Sequence, residues 1–447
     1  MRGPGLDTLS RVTQGRFRIR SVMSNGQHSV IFLPHLRLTR SYVVAGVEFV
    51  PLRDGNETVS ASLRPAAEAL EIILSGYVGR EGRPLRDCVV ATIPGRGWDL
   101  ARADFDNVRW AASLLFLASW ARNEYFPRFA GDYVNATQFR VVGQSYSGDL
   151  PGPVSFGIPR RDGETTTAGY DHGEAKFYLP IQVTLTPATV DDLFLAALDD
   201  ANSSRIPLVD RLRTALPFVE IANSDDEFLT WPAQAILMGS AFEQLFRGDG
   251  SAYKLSKRFG DRFKPFGNVT LQEAWRDRPG VAIDQAPTDV RIWKIWKKRI
   301  ASWFTAPTRS KIDKWLANRY RVAQLQWPLH RHWIAELYDV RSKAVHEGAA
   351  ATAGGWSMLE HLVMGAFVFP LAVKLLLEND NRYVLSEDDR VRCLAIDKIL
   401  ASPKWAEDRM GESETSWTKI LSNTHSDIAF ERALAAIRQE HPELFRS

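Results

Sequence analysis

The chain has 447 residues, 45% of them hydrophobic and 24% charged, which is ample to close a core and excludes a disordered or disulfide-stapled protein. Its 56 basic side chains against 53 acidic ones leave +3, too even a balance to argue by itself for a nucleic-acid or membrane partner. Two cysteines far apart in sequence, Cys88 and Cys393, exclude zinc ribbons and CxxC redox motifs, and a reducing, cytoplasmic setting is expected.

The arginines from Arg2 to Arg20 have no apolar run behind them, so no secretory leader is read. Period-two and β-branched segments then predict strands over Phe17 to Val22, Ser29 to Leu38, Tyr42 to Val50, Cys88 to Ile93, Gln138 to Tyr146 and Lys176 to Leu185. Helical patterns fall between them at Leu63 to Tyr77, Asp106 to Glu124 and Val190 to Asn202, and Pro159 to Gly169 reads as a polar loop. Residues 1–205 are therefore expected to form an α+β domain.

Composition shifts near residue 205: of fourteen lysines only Lys176 precedes it, and residues 206–447 carry the whole +3. From there the pattern is helical, and an all-α bundle is expected. Runs cover Asp225 to Phe246, opened by a Ser224/Glu227 capping box, then Arg291 to Phe304, Ser310 to about Val345, Ser357 to Leu377, Ser386 to Leu400 and Ser416 to Gln439. Pro232, Pro328 and Pro370 predict kinks or breaks, because each removes an intrahelical donor. The longest apolar stretch, Leu362 to Val373, is short of the roughly 20 residues a membrane span needs and reads as a buried core helix, so no membrane partner is expected.

Four segments carry chemistry-bearing residues. VVGQSYSGD, Val141 to Asp149, lacks the glycine two after its serine that a nucleophile elbow requires, and a strand end is the better reading. His330 and His332 point about 200° apart on a helix, so no metal site is read there. Between Arg291 and Arg321 ten basic residues face a single acid, Asp313. Lys294, Lys297, Lys298, Arg299, Lys311 and Lys314 in that segment suit an RNA backbone, while the interleaved Trp293, Trp296 and Trp303 fall at core spacing.

The fourth segment is LYDVRSKAVHEG, Leu337 to Gly348, with Arg341 and His346 five residues apart at the end of an amphipathic helix. Positions five apart lie about 140° apart on a helix, so the two side chains share a pocket only where the helix ends or loosens between them, as Gly348 and the small-residue loop after it suggest. A histidine in a last helical turn sits where the macrodipole favours its cation, and histidine titrates in the range proton transfer needs. Arginine offers a planar fork to phosphate.

This segment, with AFEQLF at Ala241 to Phe246, resembles the HEPN family, and within it the ApeA-like branch. The likeness covers about residues 206–400, and the twelve-residue motif is its specific part. The resemblance implies a helical bundle that pairs as a homodimer, with both motifs facing one cleft, and a metal-independent endoribonuclease of toxin or anti-phage type. It implies Arg341 and His346 as the catalytic pair, with Ser342, where many members carry Asn, Asp or His, orienting a phosphate oxygen. Glu243 and Tyr338 are expected behind them as supporting groups, with no metal and no cofactor. Residues 1–205 would then sense a phage-derived or other trigger. The rival reading is a non-catalytic HEPN module that binds RNA or serves as a scaffold in a larger complex.

Overall fold

The computed structural model describes residues 27–52, 70, 74–78, 85, 88–94, 102–122, 134–147, 154–159, 165–170, 177–178, 187–224, 229–266, 327–347, 356–402, 405–406 and 416–441. An antiparallel sheet occupies the N-terminal part, and the remainder is helical. Its strands are β1 (Gln27–Leu33), β2 (Tyr42–Val44), β3 (Val47–Leu52), β5 (Cys88–Thr92), β6 (Val142–Ser147), β7 (Val154–Pro159) and β8 (Thr165–Tyr170), in spatial order β2-β3-β5-β1-β6-β7-β8. β4 (Tyr77–Val78) and β9 (Phe177–Tyr178) form a separate parallel pair.

Alternation along β1 explains why this strand is central. Ile31 and Leu33 enter the main core, while Val30 and Phe32 face a smaller cluster with Val50, Leu74, Tyr77 and Val90. Register follows, with Ile31 opposite Ala91 and Gly143, and Phe32 opposite Val90 and Val142. α1 (Arg102–Trp120) lies on the main-core face. It comes so close at β6 that a Cβ on Gly143 would sit 2.9 Å from the Phe105 ring.

Two expectations for the sheet need correction. Tyr42 to Val50 is a hairpin rather than one strand, because Ala45 and Gly46 both take positive φ, as a type I′ turn demands, and Asp199 accepts the Ala45 amide. The loop expected at Pro159 to Gly169 contains most of β8, whose three consecutive threonines suit an extended backbone. β6 pairs antiparallel with β7, so no strand-to-helix elbow forms around Ser145. The predicted strand Phe17 to Val22 and most of the predicted helix Leu63 to Tyr77 lie outside the described residues.

The helices that follow are α2 (Asp192–Ser203), α3 (Pro207–Ala222), α4 (Trp231–Phe246), α5 (Ala252–Phe263), α6 (Leu329–Glu347), α7 (Met358–Asn379), α8 (Glu387–Ala401) and α9 (Trp417–Glu440). Ser357, Ser386 and Ser416 cap α7, α8 and α9 where expected, the first two in capping boxes with Glu360 and Asp389. Glu227, the partner expected for Ser224, lies outside the described residues. The Ser224 hydroxyl donates to the Ile221 carbonyl at the end of α3, and the helix expected from Asp225 starts at Trp231, with Pro232 in its first turn. α3 and α5 are additional to the predicted runs, and Arg291 to Phe304 lies outside the described residues.

α7 is apolar on every side and runs through the middle of the bundle, unbroken at Pro370 because packed neighbours surround it. It is long and apolar enough to cross a membrane, but 89% of its apolar window is buried inside the protein. One continuous core joins residues from Ile31 to Ile420, so the compositional shift near 205 falls at the turn between α2 and α3, within a packed unit. Trp120 of α1, for example, packs on Phe369 of α7.

A buried charge cluster fastens the same junction. Lys374 of α7, 2% exposed, lies 2.7 Å from Asp191 Oδ2 and 2.6 Å from Asp389 Oδ1. Asp191 caps the N-terminus of α2, and Asp389 belongs to the capping box of α8, so one ammonium ties two helix starts together. Tyr383 donates its hydroxyl to Asp389 at 2.8 Å, and Arg122 lies 3.3 Å from Asp191.

Candidate active site

α6 begins directly after Pro328, whose carbonyl accepts the amides of Arg331 and His332. Its inner face, with Trp333, Ile334 and Leu337, packs on α4 and α5, and the rings of Phe242 and Phe259 lie 5.7 and 6.0 Å from Trp333. Close approach of α4 depends on Gly239, where a Cβ would come within 3.2 Å of Arg341 Cβ and 3.3 Å of the Leu337 carbonyl. That contact brings Arg341 alongside Glu243.

Arg341 Nη2 lies 2.9 Å from Glu243 Oε2, and the other carboxylate oxygen accepts the Gly250 amide at 3.1 Å. The guanidinium is 19% exposed and sits 5.7 Å from the buried Tyr338 ring. Arg341 Nε is buried with no hydrogen-bond partner, and the Nη2 contact is close without being aligned as a hydrogen bond, so Glu243 does not saturate the fork. Burial, reinforced by the Glu243 carboxylate, pushes the Tyr338 hydroxyl above the usual tyrosine range, so it stays protonated.

Glu243 and Tyr338 thus stand beside Arg341. His346 does not. α6 stays helical through Glu347, so the helix neither ends nor loosens between the two motif residues. Five residues of continuous helix separate the side chains by about 140° around the axis and about 7.5 Å along it. Arg341 faces α4, whereas His346 stands exposed in the last turn. Ser342, half-buried, precedes His346 by four residues and shares its face. Within one chain the pair does not converge on a single point.

Lys294, Lys297, Lys298, Arg299, Lys311 and Lys314 lie outside the described residues. His330 and His332 are both buried: His330 Nδ1 lies 2.9 Å from Asp397, and the His332 ring packs on Trp327. Among the described residues no group of three His, Cys, Asp or Glu side chains could hold a metal ion. Beyond the motif, Glu336 of α6 accepts the Trp356 amide at 3.2 Å and lies 3.4 Å from the fully buried His361, pinning the chain where it returns to α7.

Sequence reasoning missed Gly239 and the Gly250 amide, which together set the Glu243 carboxylate. A lone glycine in the apolar run AILMGSAF was the available signal for Gly239. No family of known proteins matches the chain, nor does any curated protein or solved structure.

Proposed function

We propose that the protein is a HEPN-type endoribonuclease that cleaves RNA without a metal. It acts as a cytoplasmic homodimer in anti-phage defence or as a toxin, with residues 1–205 responding to a phage-derived or other trigger. The observation that carries this reading is the terminus of α6, where a partly exposed guanidinium and an exposed imidazole lie five residues apart.

The chemistry needs a base for the 2′-hydroxyl, an acid for the leaving 5′-oxygen and positive charge for the phosphorane. His346 moves the protons. Arg341 meets the charge, with the scissile phosphate competing against Glu243 for the fork. Ser342, on the His346 face, can orient a phosphate oxygen. Because the helix holds the two groups about 140° apart, the pair is completed across a two-fold axis, Arg341 of one protomer serving with His346 of the other. The 2′-oxygen forms its bond to phosphorus as the 5′-oxygen bond breaks, leaving a 2′,3′-cyclic phosphate and a 5′-hydroxyl.

Incubation of the full chain with RNA in EDTA tests this. Wild type is expected to release cyclic-phosphate ends, and His346→Ala to lose about 10²–10⁴-fold in rate. Equal degradation by wild type and His346→Ala removes the catalysis from this site. One observation favours a second reading, a HEPN module that binds RNA or acts as a scaffold without cutting: Glu243 already neutralises Arg341. Binding without turnover is its signature.

A further inference from the structure

We propose, building on the ribonuclease reading, that the solvent face of α5 is the track along which single-stranded RNA reaches Arg341. α5 buries Leu255, Phe259 and Phe263 and turns Lys254, Lys257 and Arg258 outward. From Lys254 to Lys264 five cations accompany one acid, Asp261, a far denser positive charge than the chain's overall +3. The helix also starts at the site. Glu243, which holds Arg341, accepts the amide of Gly250, and the next residue, Ser251, is the N-cap of α5.

The two lysines on this face are available to phosphates. Lys257 has no ion-pair partner among the described residues. Lys254 lies 3.6 Å from Asp249, a solvent-exposed pair that exchanges readily for a phosphate, whereas Arg258, 3.3 Å from the same carboxylate, also donates to the carbonyls of Phe246 and Arg247 and is held at the end of α4. Lys254 and Arg258, four residues apart, lie on one side of the helix a turn from each other. Lys257, one turn after Tyr253, lies beside that ring, which is 44% exposed and tilted 42° to Trp327 at 6.2 Å, with the Arg331 guanidinium 3.7 Å over Trp327 and 5.6 Å over Tyr253. An exposed ring stiffened from behind can stack a base, and this feature favours a nucleic acid over an acidic polypeptide.

The test uses the full chain and a fluorescein-labelled, fully 2′-O-methylated 12-mer, which cannot be cleaved, read by fluorescence anisotropy across salt concentrations. Each phosphate of a single strand that a lysine ceases to neutralise lowers the salt slope by about 0.7, so Lys254→Gln/Lys257→Gln should lower it by about 1.4 and weaken binding at 0.1 M salt by about 25-fold. Lys398→Gln/Lys419→Gln, an equal charge change elsewhere, should shift affinity less than about twofold, and Tyr253→Ala should weaken it at least about fivefold. Several outcomes overturn the track: no binding by wild type, an unchanged slope in the α5 variant, an equal loss in the control, or tighter binding of polyglutamate through the same lysines. Cleavage of unmodified RNA is followed in parallel. Turnover with an unchanged salt slope sinks the track alone, whereas the expected binding loss without turnover by wild type sinks the nuclease reading and supports the track as a binding surface.

Discussion

Replacing Lys374 with methionine keeps the length of the side chain and removes its charge, leaving Asp191 and Asp389 facing each other in the interior. Both carboxylates are at most 3% exposed. Arg122 still lies 3.3 Å from Asp191, so Asp389 is the uncompensated group. Removing one partner of a buried pair costs about 3–5 kcal/mol, a large share of the roughly 5–15 kcal/mol that holds a domain folded. The sign of the pH dependence follows from Asp389. Burial pushes its carboxyl up, but Lys374 together with hydrogen bonds from Ser386 and Tyr383 outweighs burial and holds it below the usual carboxylate range. In the wild type this group stabilises the fold above the unfolded carboxylate range and loses that contribution as pH falls through its lowered value. In the variant only burial and the Tyr383 and Ser386 bonds act, so protonation relieves the strain and the deficit shrinks as pH falls. Urea unfolding followed by tryptophan fluorescence should show the 3–5 kcal/mol loss at pH 7.5 and a smaller one at pH 5.5. Asp389→Asn added to the variant should recover part of it. A loss below about 1 kcal/mol at both pH values would refute the idea that this cluster fastens the two parts of the fold.

Other predictions follow from single contacts. Gly365→Ala puts a Cβ 2.6 Å from Met238 Cγ in the closed core; overpacking of about 1–3 kcal/mol exceeds the roughly 1 kcal/mol gained in helix propensity, so the melting point should fall, and Met238→Ala should lessen the effect of adding that methyl. His35 is lowered to about 4 by burial and by Arg140, so the unfolded chain binds its proton first and stability should decline from pH 6.5 to 4; His35→Gln should flatten that decline in urea midpoints. Cys88 and Cys393 are 1% and 4% exposed, and burial pushes the Cys393 thiol well above its usual range. A thiol reagent should therefore find almost no thiol in the native protein and both after denaturation.

The division into a sheet region and a helical remainder was legible because period-two and period-3.6 patterns are set by local geometry. Helix starts at Ser357, Ser386 and Ser416 were legible for the same reason, since a cap needs only a hydroxyl that accepts a backbone amide of the first turn. The start of α4 shows the limit: Ser224 suggested a helix from Asp225, but it begins at Trp231, and the Ser224 hydroxyl donates to a carbonyl at the end of α3. Ala45 at positive φ was not legible, because its support comes from Asp199, 154 positions away. Of the candidate site, Glu243 beside Arg341 was anticipated from the resemblance, whereas the unbroken helix between Arg341 and His346 was not, Gly348 having suggested an earlier end. Lys374 was passed over as the residue ending the apolar stretch Leu362 to Val373, since only the fold brings two aspartates to it.

The core that runs unbroken past residue 205 makes this polypeptide inseparable in a practical sense. A gene fragment starting at codon 206 would encode the α6 motif yet omit Asp191 and Phe194, stripping Lys374 of one counterion and one aromatic wall while uncovering the side of α7 that met α1. Such a fragment should precipitate or recruit chaperones rather than report on catalysis, and shuffling the front part between relatives would succeed only if the replacement carried an aspartate to the same spot.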